Sequence, residues 1–371
     1  MTLQLTLNGR PVALADFDEN DAAGCSSYER RTLQFCRQWL AGQESFVVPT
    51  SGSTGEPKAI TLTREQLRAS ARLTGRALGL QAGDKALVCL STDYIAGIMM
   101  LVRGMELGLS LTVVKPSRNP LVGFPDETAF DFAAFVPLQL QEILTTTPAE
   151  RKILNRMRVI LIGGAPLNEG LLQSLRTLDA AVYHTYGMTE TVSHIALRRL
   201  NGPQASEYFK PLDGVNIGLS PEGCLVVQSV LTRHRRLTTH DRIELKPDGS
   251  FRWLERIDNV INTGGFKVQA EKVESALETL FQDYPLLAKR RFFVGPLADP
   301  QFGQIVVAVL EGPPVAMAIQ AEIRIKLREG MLHHHEIPRY FYFQPHLLET
   351  PTGKIDRQAN LARLSVPMKA K

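Results

Sequence analysis

Two uninterrupted apolar runs constrain the fold of this chain most strongly. Residues 132–136 (Phe-Ala-Ala-Phe-Val) and residues 159–162 (Val-Ile-Leu-Ile) contain no polar position. A strand that is apolar on both faces is typical of a parallel sheet with helices packed on both sides. Segments with helical spacing lie between such runs along residues 64–200, so the pattern predicts a layered α/β core.

The pattern changes near residue 214 to short strands separated by turns. Pro221-Glu222-Gly223 and Pro247-Asp248-Gly249 each separate apolar segments and predict hairpins. After residue 258 the helical and strand-like segments form a smaller α+β pattern. We therefore predict an α/β protein: a large N-terminal domain over residues 1–255 with parallel-rich sheets, helices and short β-hairpins, and a small α+β domain over residues 256–371.

Composition and charge exclude several classes of partner. Hydrophobic residues make up 44% of the 371 residues and charged residues 22%, as in a globular protein. The net charge of +4 is not concentrated in a basic stripe, so nucleic-acid binding is not expected. The four scattered cysteines favour a reducing compartment over a zinc site or disulfide framework. Because no signal peptide or membrane-spanning run is found, we expect a cytoplasmic protein without stable membrane association.

Residues 49–58 (Pro-Thr-Ser-Gly-Ser-Thr-Gly-Glu-Pro-Lys) predict a loop that binds a polyphosphate. Glycines let backbone N–H groups approach an anion, hydroxyls donate to phosphate oxygens, and a lysine adds positive charge. The order differs from a Walker A loop, because Glu56 and Pro57 separate Gly55 from Lys58. A flexible linker rich in serine and glycine is the alternative. The candidate phosphate ligands are Thr50, Ser51, Gly52, Ser53, Thr54, Gly55 and Lys58.

Two further motifs offer groups that suit a nucleotide. Residues 186–190 (Tyr-Gly-Met-Thr-Glu) supply a flat ring for a base, a glycine for close approach, a hydroxyl for phosphate and a carboxylate for Mg²⁺. Gly163-Gly164-Ala165 follows a buried strand, where open α/β sheets bind ligands. Each motif alone is also compatible with an ordinary turn at the end of a strand.

In this order the motifs resemble the signatures of the adenylate-forming superfamily, in its acyl-CoA ligase branch, and three later segments extend the resemblance. Thr239-His240-Asp241 is similar to the ribose-binding segment, with His240 in place of the usual glycine. Residues 256–268 resemble the hinge and the first C-terminal motif, and residues 351–357 (Pro-Thr-Gly-Lys-Ile-Asp-Arg) resemble the last signature. The resemblance spans residues 45–365.

The resemblance implies a role for each matched residue. Lys354 is expected to bridge the substrate carboxylate and the α-phosphate, Thr189 to contact that phosphate, and Glu190 to coordinate Mg²⁺. Asp258 is expected to be the hinge of a mobile C-terminal domain. The residues implied at the adenine and ribose are Gly163, Gly164, Ala165, Tyr186, Gly187, Asp241 and Arg256. Those implied at the CoA tunnel are Gly264, Gly265 and Lys267.

The implied reaction is that of an AMP-forming acid–thiol ligase that uses ATP, Mg²⁺ and coenzyme A. A carboxylate attacks the α-phosphate to give an acyl-adenylate and pyrophosphate; the C-terminal domain then reorients and a thiol displaces AMP. Two departures from the family pattern are visible. The phosphate loop begins near residue 50, so the N-terminal domain is expected to be shortened, and Tyr94 stands where many members have a histidine.

The substrate is suggested by a narrower resemblance. Residues 91–103 and the sequence Gly-Gly-Ala-Pro-Leu look like the short bacterial o-succinylbenzoate–CoA ligases of menaquinone biosynthesis. That substrate has an aromatic ring and two carboxylates, and only one of them becomes a thioester, so the pocket needs a cation for the other. Arg103, His194 and Arg118 are the candidates, and Tyr94 is expected in the same acyl pocket.

Several alternatives stay open at this stage. Another aryl- or acyl-CoA ligase, or an enzyme that loads a carrier thiol, would use the same signatures. A non-catalytic nucleotide-binding relative would not need Lys354, Glu190 and Asp241 together. A homo-oligomer and a monomer are both open alternatives. The run His333-His334-His335 is interpreted as a surface segment, because adjacent side chains do not converge on one metal ion.

Overall fold

The structure is a computed structural model that describes residues 5–12, 25–49, 59–146, 148–165, 167, 169–350 and 353–364. The chain divides into two compact units. The first contains the described residues of Met1–Thr50, Lys58–Thr239 and Ile243–Trp253, and the second contains His240–Arg242 and the described residues of Leu254–Lys371. The domain boundary between residues 255 and 256 stays a prediction.

The elements up to residue 256 form three sheets and their covering helices. In chain order they are β1 (Leu5–Leu7), β2 (Arg10–Val12), α1 (Ser27–Leu40), β3 (Ser45–Pro49), β4 (Ala59–Thr63), α2 (Arg64–Leu78), β5 (Lys85–Val88), α3 (Ile95–Leu107), β6 (Ser110–Val113), β7 (Phe132–Phe135), α4 (Pro137–Thr146), α5 (Pro148–Arg156), β8 (Val159–Ile162), α6 (Glu169–Arg176), β9 (Ala181–Gly187), β10 (His194–Arg199), β11 (Lys210–Pro211), β12 (Asn216–Leu219), β13 (Cys224–Gln228), β14 (Leu237–Leu245) and β15 (Phe251–Arg256).

The largest sheet has the strand order β11-β10-β9-β8-β7-β5-β6-β1-β2. Its central pairs, from β9 through β8, β7, β5 and β6 to β1, are parallel, and the outer strands β2, β10 and β11 pair antiparallel. Side chains of β7 alternate between two cores: Phe132 packs with the cluster that contains α1, α2 and α3, whereas Phe135 packs with α4, α5 and α6. The two-faced burial that the apolar runs predicted is thus confirmed.

The strands that flank the predicted phosphate loop pair with each other. β3 and β4 are antiparallel, with Pro49 opposite Ala59, and residues 50–58 themselves lie outside the described residues. Helix α2 begins directly after β4. The side chain of Thr63 accepts a hydrogen bond from the backbone of Gln66, and the Gln66 side chain bonds back to Thr63. The capping box that the Thr-Arg-Glu-Gln sequence predicts is therefore formed.

The hairpin region has the strand order β12-β13-β14-β15. Pro221-Glu222-Gly223 lies between β12 and β13, which are antiparallel, and Pro247-Asp248-Gly249 lies between the neighbouring strands β14 and β15. Both predicted turns are therefore found between paired strands. Strand β9 continues beyond the apolar segment 181–183 through Gly187, because it pairs with β10 along this length.

The second unit is an α+β layer built on one sheet. Its elements after residue 256 are β16 (Val260–Thr263), β17 (Phe266–Gln269), α7 (Ala270–Phe281), β18 (Phe292–Asp299), β19 (Gly303–Glu311), α8 (Met317–Arg328), β20 (Tyr340–Gln344) and α9 (Arg357–Leu361). The sheet order is β17-β16-β19-β18, and β20 pairs parallel with β19. Val273 and Leu277 of α7 pack with Ile323 and Leu327 of α8 in its core.

None of the helices in the described part of the chain combines the length and the apolar composition that a membrane crossing requires. Cytoplasmic localisation remains an expectation from the sequence.

Candidate active site

The motif at residues 186–190 lies where strands β9 and β10 come unusually close. Gly187 is opposite His194, and a Cβ atom built on Gly187 would lie 2.3 Å from the carbonyl oxygen of Ser193. Since no side chain fits at that distance, this position requires glycine. Thr189 is buried in the 3₁₀ turn Thr189–Thr191 that follows, whereas Glu190 is exposed. The close approach therefore leaves a carboxylate accessible directly after a buried hydroxyl.

A strained turn connects this motif to β10. Val192 is fully buried and has φ 67° and ψ −58°, and the backbone N–H of Ser193 donates to the carbonyl of Thr191 at 2.7 Å. This is the γ-turn with a positive φ, a conformation that is rare for any residue and especially unfavourable for a β-branched one. Strain of about 1–3 kcal/mol of this kind clusters at functional sites. No local sequence pattern indicated it.

Arg103 of α3 reaches this turn from the side of the helix layer. Its Nη2 donates to Ser193 Oγ at 2.8 Å, and its Nη1 lies 3.7 Å from the sulfur of Met100. Only 3% of the residue is exposed, and its Nε has no hydrogen-bond partner among the described residues. Burial lowers the pKa of Arg103 to about 9, and no carboxylate contributes to that shift. Arg103 is thus a buried cation, still protonated at neutral pH, with an unsatisfied Nε donor.

A chain of hydrogen bonds leads from Arg103 through Ser193 to His194, and each bond in it has a defined donor. Ser193 Oγ lies 3.4 Å from His194 Nδ1, and His194 Nε2 lies 3.1 Å from Thr74 Oγ1. The hydroxyl of Thr74 donates to the Ser70 carbonyl, so it must accept from His194. The ring therefore has its proton on Nε2 and accepts from Ser193 at Nδ1.

This arrangement corrects the expectation that His194 could supply a positive charge. Burial first, and the nearby Arg103 second, hold the pKa of His194 well below its usual range. The imidazole is therefore neutral at physiological pH. Arg118 is exposed in the segment after β6, so of the three candidate cations only Arg103 is both buried and charged.

The ring of Tyr186, on strand β9, packs against the rings of Phe209 and Phe251. Its ring meets Phe251 edge-on at 5.2 Å and Phe209 at 5.8 Å between centroids. Phe209 and Phe251 stack on each other at 5.6 Å. These contacts fix the plane of the Tyr186 ring, as stacking on a purine base requires.

The turn at residues 163–165 is supported by two side chains of β9. A Cβ atom on Gly163 would lie 2.1 Å from Thr185 Oγ1, and Gly164 has φ 86°, so both glycines are needed. Thr185 Oγ1 donates to the Ile162 carbonyl at 3.3 Å. On the other face of the strand, His184 hydrogen-bonds the backbone of Ala165. The turn is thereby held against the end of β9.

His184 is a site-lining residue that sequence reasoning missed. Arg198 lies opposite it on β10 and donates from Nη2 to His184 Nδ1 at 3.2 Å. Burial, and then the charge of Arg198, lower the pKa of His184 to about 3, so the ring is neutral. Only the pairing of β9 with β10 brings these two residues together; their separation in sequence gave no indication.

The segment before the N-terminus of α3 is also held in place by residues of helix α1, which lie outside any recognised motif. Tyr94 is the N-cap residue of α3 and is partly buried. Thr32 and Tyr28 of α1 contact the segment before it: Thr32 Oγ1 lies 2.7 Å from Thr92 Oγ1, and Tyr28 donates to the Leu90 carbonyl at 3.5 Å. Helix α1 therefore helps to shape the region predicted to be the acyl pocket.

The second unit brings together three of the predicted residues. Asp241 and Arg256 form an ion pair at 3.5 Å, in which the Asp241 side chain is 8% exposed. Lys354 is partly buried near Arg256. Burial first, and repulsion by Arg256 second, lower the pKa of Lys354. A carboxylate and two cations thus occupy one neighbourhood, as expected for groups that bind a ribose and a developing anion.

The remaining predicted residues lie elsewhere in the second unit or outside the described residues. Gly264 and Gly265, with φ 57° and 86°, form the two-residue turn between β16 and β17 that requires positive φ at both positions. Lys267 is exposed on β17. The backbone at Asp258 lies in a 3₁₀ turn between β15 and β16. No group of three or more potential metal ligands is found among the described residues, His333–His335 included.

Comparison with known proteins defines the class. The sequence pattern of the AMP-binding enzyme family matches residues 14–219, which is more than half of the chain. The chain therefore belongs to the AMP-binding enzyme family. The members of this family that it resembles are AMP-forming ligases. A solved structure from Dyadobacter fermentans, described as an AMP-forming acyl-CoA synthetase/AMP-acid ligase II-like protein, is 42% identical, covers 92% of this chain and 95% of its own, and has a TM-score of 0.61.

More distant relatives have more specific names. A probable 2-succinylbenzoate–CoA ligase of Mycobacterium tuberculosis is 29% identical over 353 residues, or 86% of this chain and 85% of that protein. The 2-succinylbenzoate–CoA ligase of Lactococcus lactis is 24% identical and covers 84% of this chain and 69% of its own. The o-succinylbenzoate coenzyme A synthetase of Bacillus subtilis, solved with ATP and magnesium, shares the fold with a TM-score of 0.68 at 23% identity, over 85% of this chain and 69% of its own. The predicted fold class is confirmed by this likeness.

The lowered pKa of Lys354 can be measured directly. Only a deprotonated amine reacts with an acylating reagent, so the labelling of Lys354 should reach half of its maximum at a lower pH than the labelling of the exposed Lys289. Replacing Arg256 with Gln removes the smaller of the two causes and should move the Lys354 midpoint to higher pH. The measurement is competitive labelling followed by peptide mass spectrometry. A midpoint for Lys354 at or above that of Lys289 would contradict the environment described for this lysine.

Proposed function

We propose that this protein is an AMP-forming carboxylate–CoA ligase whose acid is 2-succinylbenzoate. The observation that supports this substrate most directly is Arg103, a buried cation with unused donors and no carboxylate partner in the described part of the chain. A buried charge of this kind is unfavourable unless a ligand pairs with it. The names of the relatives agree with an aromatic dicarboxylate. Menaquinone biosynthesis would be the pathway.

The first half-reaction joins the acid to the AMP part of ATP and releases pyrophosphate. In our proposal, residues 50–58 hold the β- and γ-phosphates, and the Tyr186 ring and the turn at 163–165 hold the adenine. Asp241 accepts hydrogen bonds from the ribose hydroxyls, and Arg256, its ion-pair partner at 3.5 Å, orients it. Glu190, exposed beside the buried Thr189, would supply the carboxylate that binds Mg²⁺. The bound ion would neutralise phosphate charge.

Lys354 stabilises the charge that develops as the carboxylate attacks the α-phosphate. Its ammonium bridges the two approaching anions and donates to an oxygen of the α-phosphate, which Thr189 also contacts. Proximity and electrostatic stabilisation thus replace any need for a nucleophilic side chain. A partly buried lysine suits this task because a charge acts more strongly where water is excluded.

The second half-reaction transfers the acyl group to the thiol of coenzyme A, with AMP as the leaving group. We propose that the small domain, residues 256–371, turns about Asp258 for this step. The turn at Gly264 and Gly265 then lines the path of the thiol, and the exposed Lys267 meets the anionic part of coenzyme A. Because the two glycines have no side chains, this turn leaves room for the narrow pantetheine arm of coenzyme A.

The acyl pocket selects the acid through Arg103. The ring carboxylate of 2-succinylbenzoate would take the unused donors of this guanidinium, which can bind a carboxylate through two parallel hydrogen bonds. His194 is neutral, so it contributes a hydrogen-bonding ring and not a charge. Tyr94, at the start of the same helix, would border the aromatic ring of the acid.

The test of this function is AMP release that depends on both coenzyme A and Mg·ATP, measured over a panel of carboxylic acids. We expect turnover with 2-succinylbenzoate and a loss of about 100-fold or more in Lys354→Ala, because Lys354 acts on the charge of the transition state. Turnover with other acids only would retain the ligase and refute the substrate. Thioester formation on a carrier protein but not on coenzyme A would identify a carrier-loading enzyme, and ATP binding without any turnover would refute catalysis.

The role of Arg103 predicts a change in substrate affinity. Arg103→Met keeps the length and the apolar contacts of the side chain but removes the charge, so the KM for 2-succinylbenzoate should rise by about 30-fold or more. The KM for ATP should stay within about two-fold, since no contact of Arg103 belongs to the proposed nucleotide site. Arg118→Met is the matched control, an exposed arginine whose loss should leave both constants unchanged. Equal kinetics for Arg103→Met and wild type would remove Arg103 from the acyl pocket.

A further inference from the structure

An ion pair in the second unit connects helix α7 to the segment that contains Lys354. Arg357 Nη1 lies 2.9 Å from Glu274 Oε1, and Arg357 Nη2 donates to Glu274 Oε2 at 3.0 Å, so the pair has the two-pronged geometry. Both partners also bond the backbone of Val294: its N–H donates to Glu274 at 2.7 Å, and its carbonyl accepts from Arg357 at 3.3 Å. The guanidinium lies 5.8 Å from the ring of Phe293.

The surroundings make this pair strong. The side chains of Glu274 and Arg357 are only 20% and 30% exposed. Burial, the largest cause, raises the pKa of Glu274 above its usual value, and the charge of Arg357 offsets only part of this rise. Removing one partner of such a pair leaves the other as a buried charge without compensation, which is strongly unfavourable. The position of Arg357 relative to α7 is therefore fixed.

Arg357 is the first residue of helix α9, and this helix begins three residues after Lys354. Asp356 caps the helix by accepting from the backbone N–H of Ala359 at 2.9 Å. The buried side chain of Asn360 bonds both the N–H and the carbonyl of Leu348. The helix is thus attached at its start and along its length to the unit that bears it.

Lys354 itself is held between this helix and Thr350. The Thr350 N–H donates to the carbonyl of Lys354 at 2.7 Å, and the N–H of Lys354 donates to Thr350 Oγ1 at 3.2 Å. Ile355, the next residue, forms an antiparallel bridge with Glu349. The backbone of Lys354 is thus bonded to Thr350 on one side and leads into α9 within three residues on the other, so the position of α9 helps to set where the ammonium lies.

We propose that the ion pair between Glu274 and Arg357 positions Lys354 for the adenylation half-reaction. Neither residue touches the reacting atoms; both act through the attachment of α9. The inference rests on the proposed function, in which Lys354 acts only while the acyl-adenylate forms. The thioester step uses the turn at Gly264 and Gly265 instead, so loss of the ion pair should affect the two half-reactions unequally.

The same helix supplies a matched control. Lys272, two residues before Glu274, pairs with Glu336 at 2.6 Å, and the Glu336 side chain is 8% exposed. Glu336 also accepts from the backbone N–H of His333 at 2.8 Å. This second ion pair joins α7 to the 3₁₀ turn His334–Glu336, and the two hydrogen bonds that form it do not involve α9. Lys272→Met therefore removes a comparable ion pair without disturbing the support of Lys354.

The experiment measures the two half-reactions separately in Glu274→Gln, Arg357→Met, Arg357→Lys and Lys272→Met. Adenylation is followed as pyrophosphate release from Mg·ATP and the acid without coenzyme A, and thioester formation is followed from synthetic acyl-adenylate and coenzyme A. In Glu274→Gln and Arg357→Met we expect adenylation to slow by about 10- to 100-fold, because a misplacement of about 1 Å has an effect of this size. Thioester formation should stay within about two-fold. Arg357→Lys, which keeps one charged contact, should be intermediate.

Three outcomes would overturn the inference. They are unchanged adenylation, an equal loss in both half-reactions, and a loss of adenylation in Lys272→Met as large as in Glu274→Gln. If the two stronger variants do not fold, as judged by thermal unfolding, Arg357→Lys alone decides, and an unselective effect there refutes the inference. A wild-type protein that adenylates no acid would refute the proposed function instead, so the two failures are distinguishable.

Discussion

The contact between Arg103 and Ser193 is the interaction on which the account of this site depends. It joins helix α3 to the γ-turn at Val192, directly after the motif Tyr186–Glu190. In the same motif, β9 and β10 approach so closely at Gly187 that no side chain fits between them. A buried cation and the predicted nucleotide motif thus lie close together on one stretch of backbone.

A buried and a partly buried arginine in this protein illustrate opposite solutions to the same electrostatic problem. Arg357 has its carboxylate partner, Glu274, within the protein, and this pair fixes a helix in place. Arg103 has a hydroxyl and a thioether instead, and its Nε is unsatisfied. A satisfied buried pair stabilises a geometry, whereas an unsatisfied buried cation favours the binding of an anion. This difference in partners supports our proposal that Arg357 has a structural role and Arg103 binds the substrate.

Much of the fold follows from local sequence patterns. The apolar runs at 132–136 and 159–162 predicted two-faced strands, and the Thr63 capping box and the Pro-x-Gly hairpin turns were formed as predicted, because each depends on neighbouring residues. The full length of β9 does not follow from such a pattern. Its last residues, Thr185 to Gly187, are not apolar, and only the partner strand β10 keeps them extended.

The site was predictable to the extent that its residues lie in motifs. Asp241, Arg256 and Lys354 were identified from separate segments, and the structure places them in one unit. The neutral state of His194 and the support of Ala165 by His184 could not be inferred, because both depend on burial and on strand pairing that no short pattern encodes. Residues 50–58 lie outside the described residues, so the roles assigned to them stay predictions.

The most direct test of the central claim compares two acids in the wild-type protein. One is 2-succinylbenzoate, and the other is the analogue that lacks only the ring carboxylate. If Arg103 binds the ring carboxylate, kcat/KM for 2-succinylbenzoate should exceed kcat/KM for the analogue by about 100-fold or more, because the analogue leaves a buried cation unpaired. Values of kcat/KM within about two-fold of each other would contradict the claim that the unpaired arginine selects a dicarboxylate.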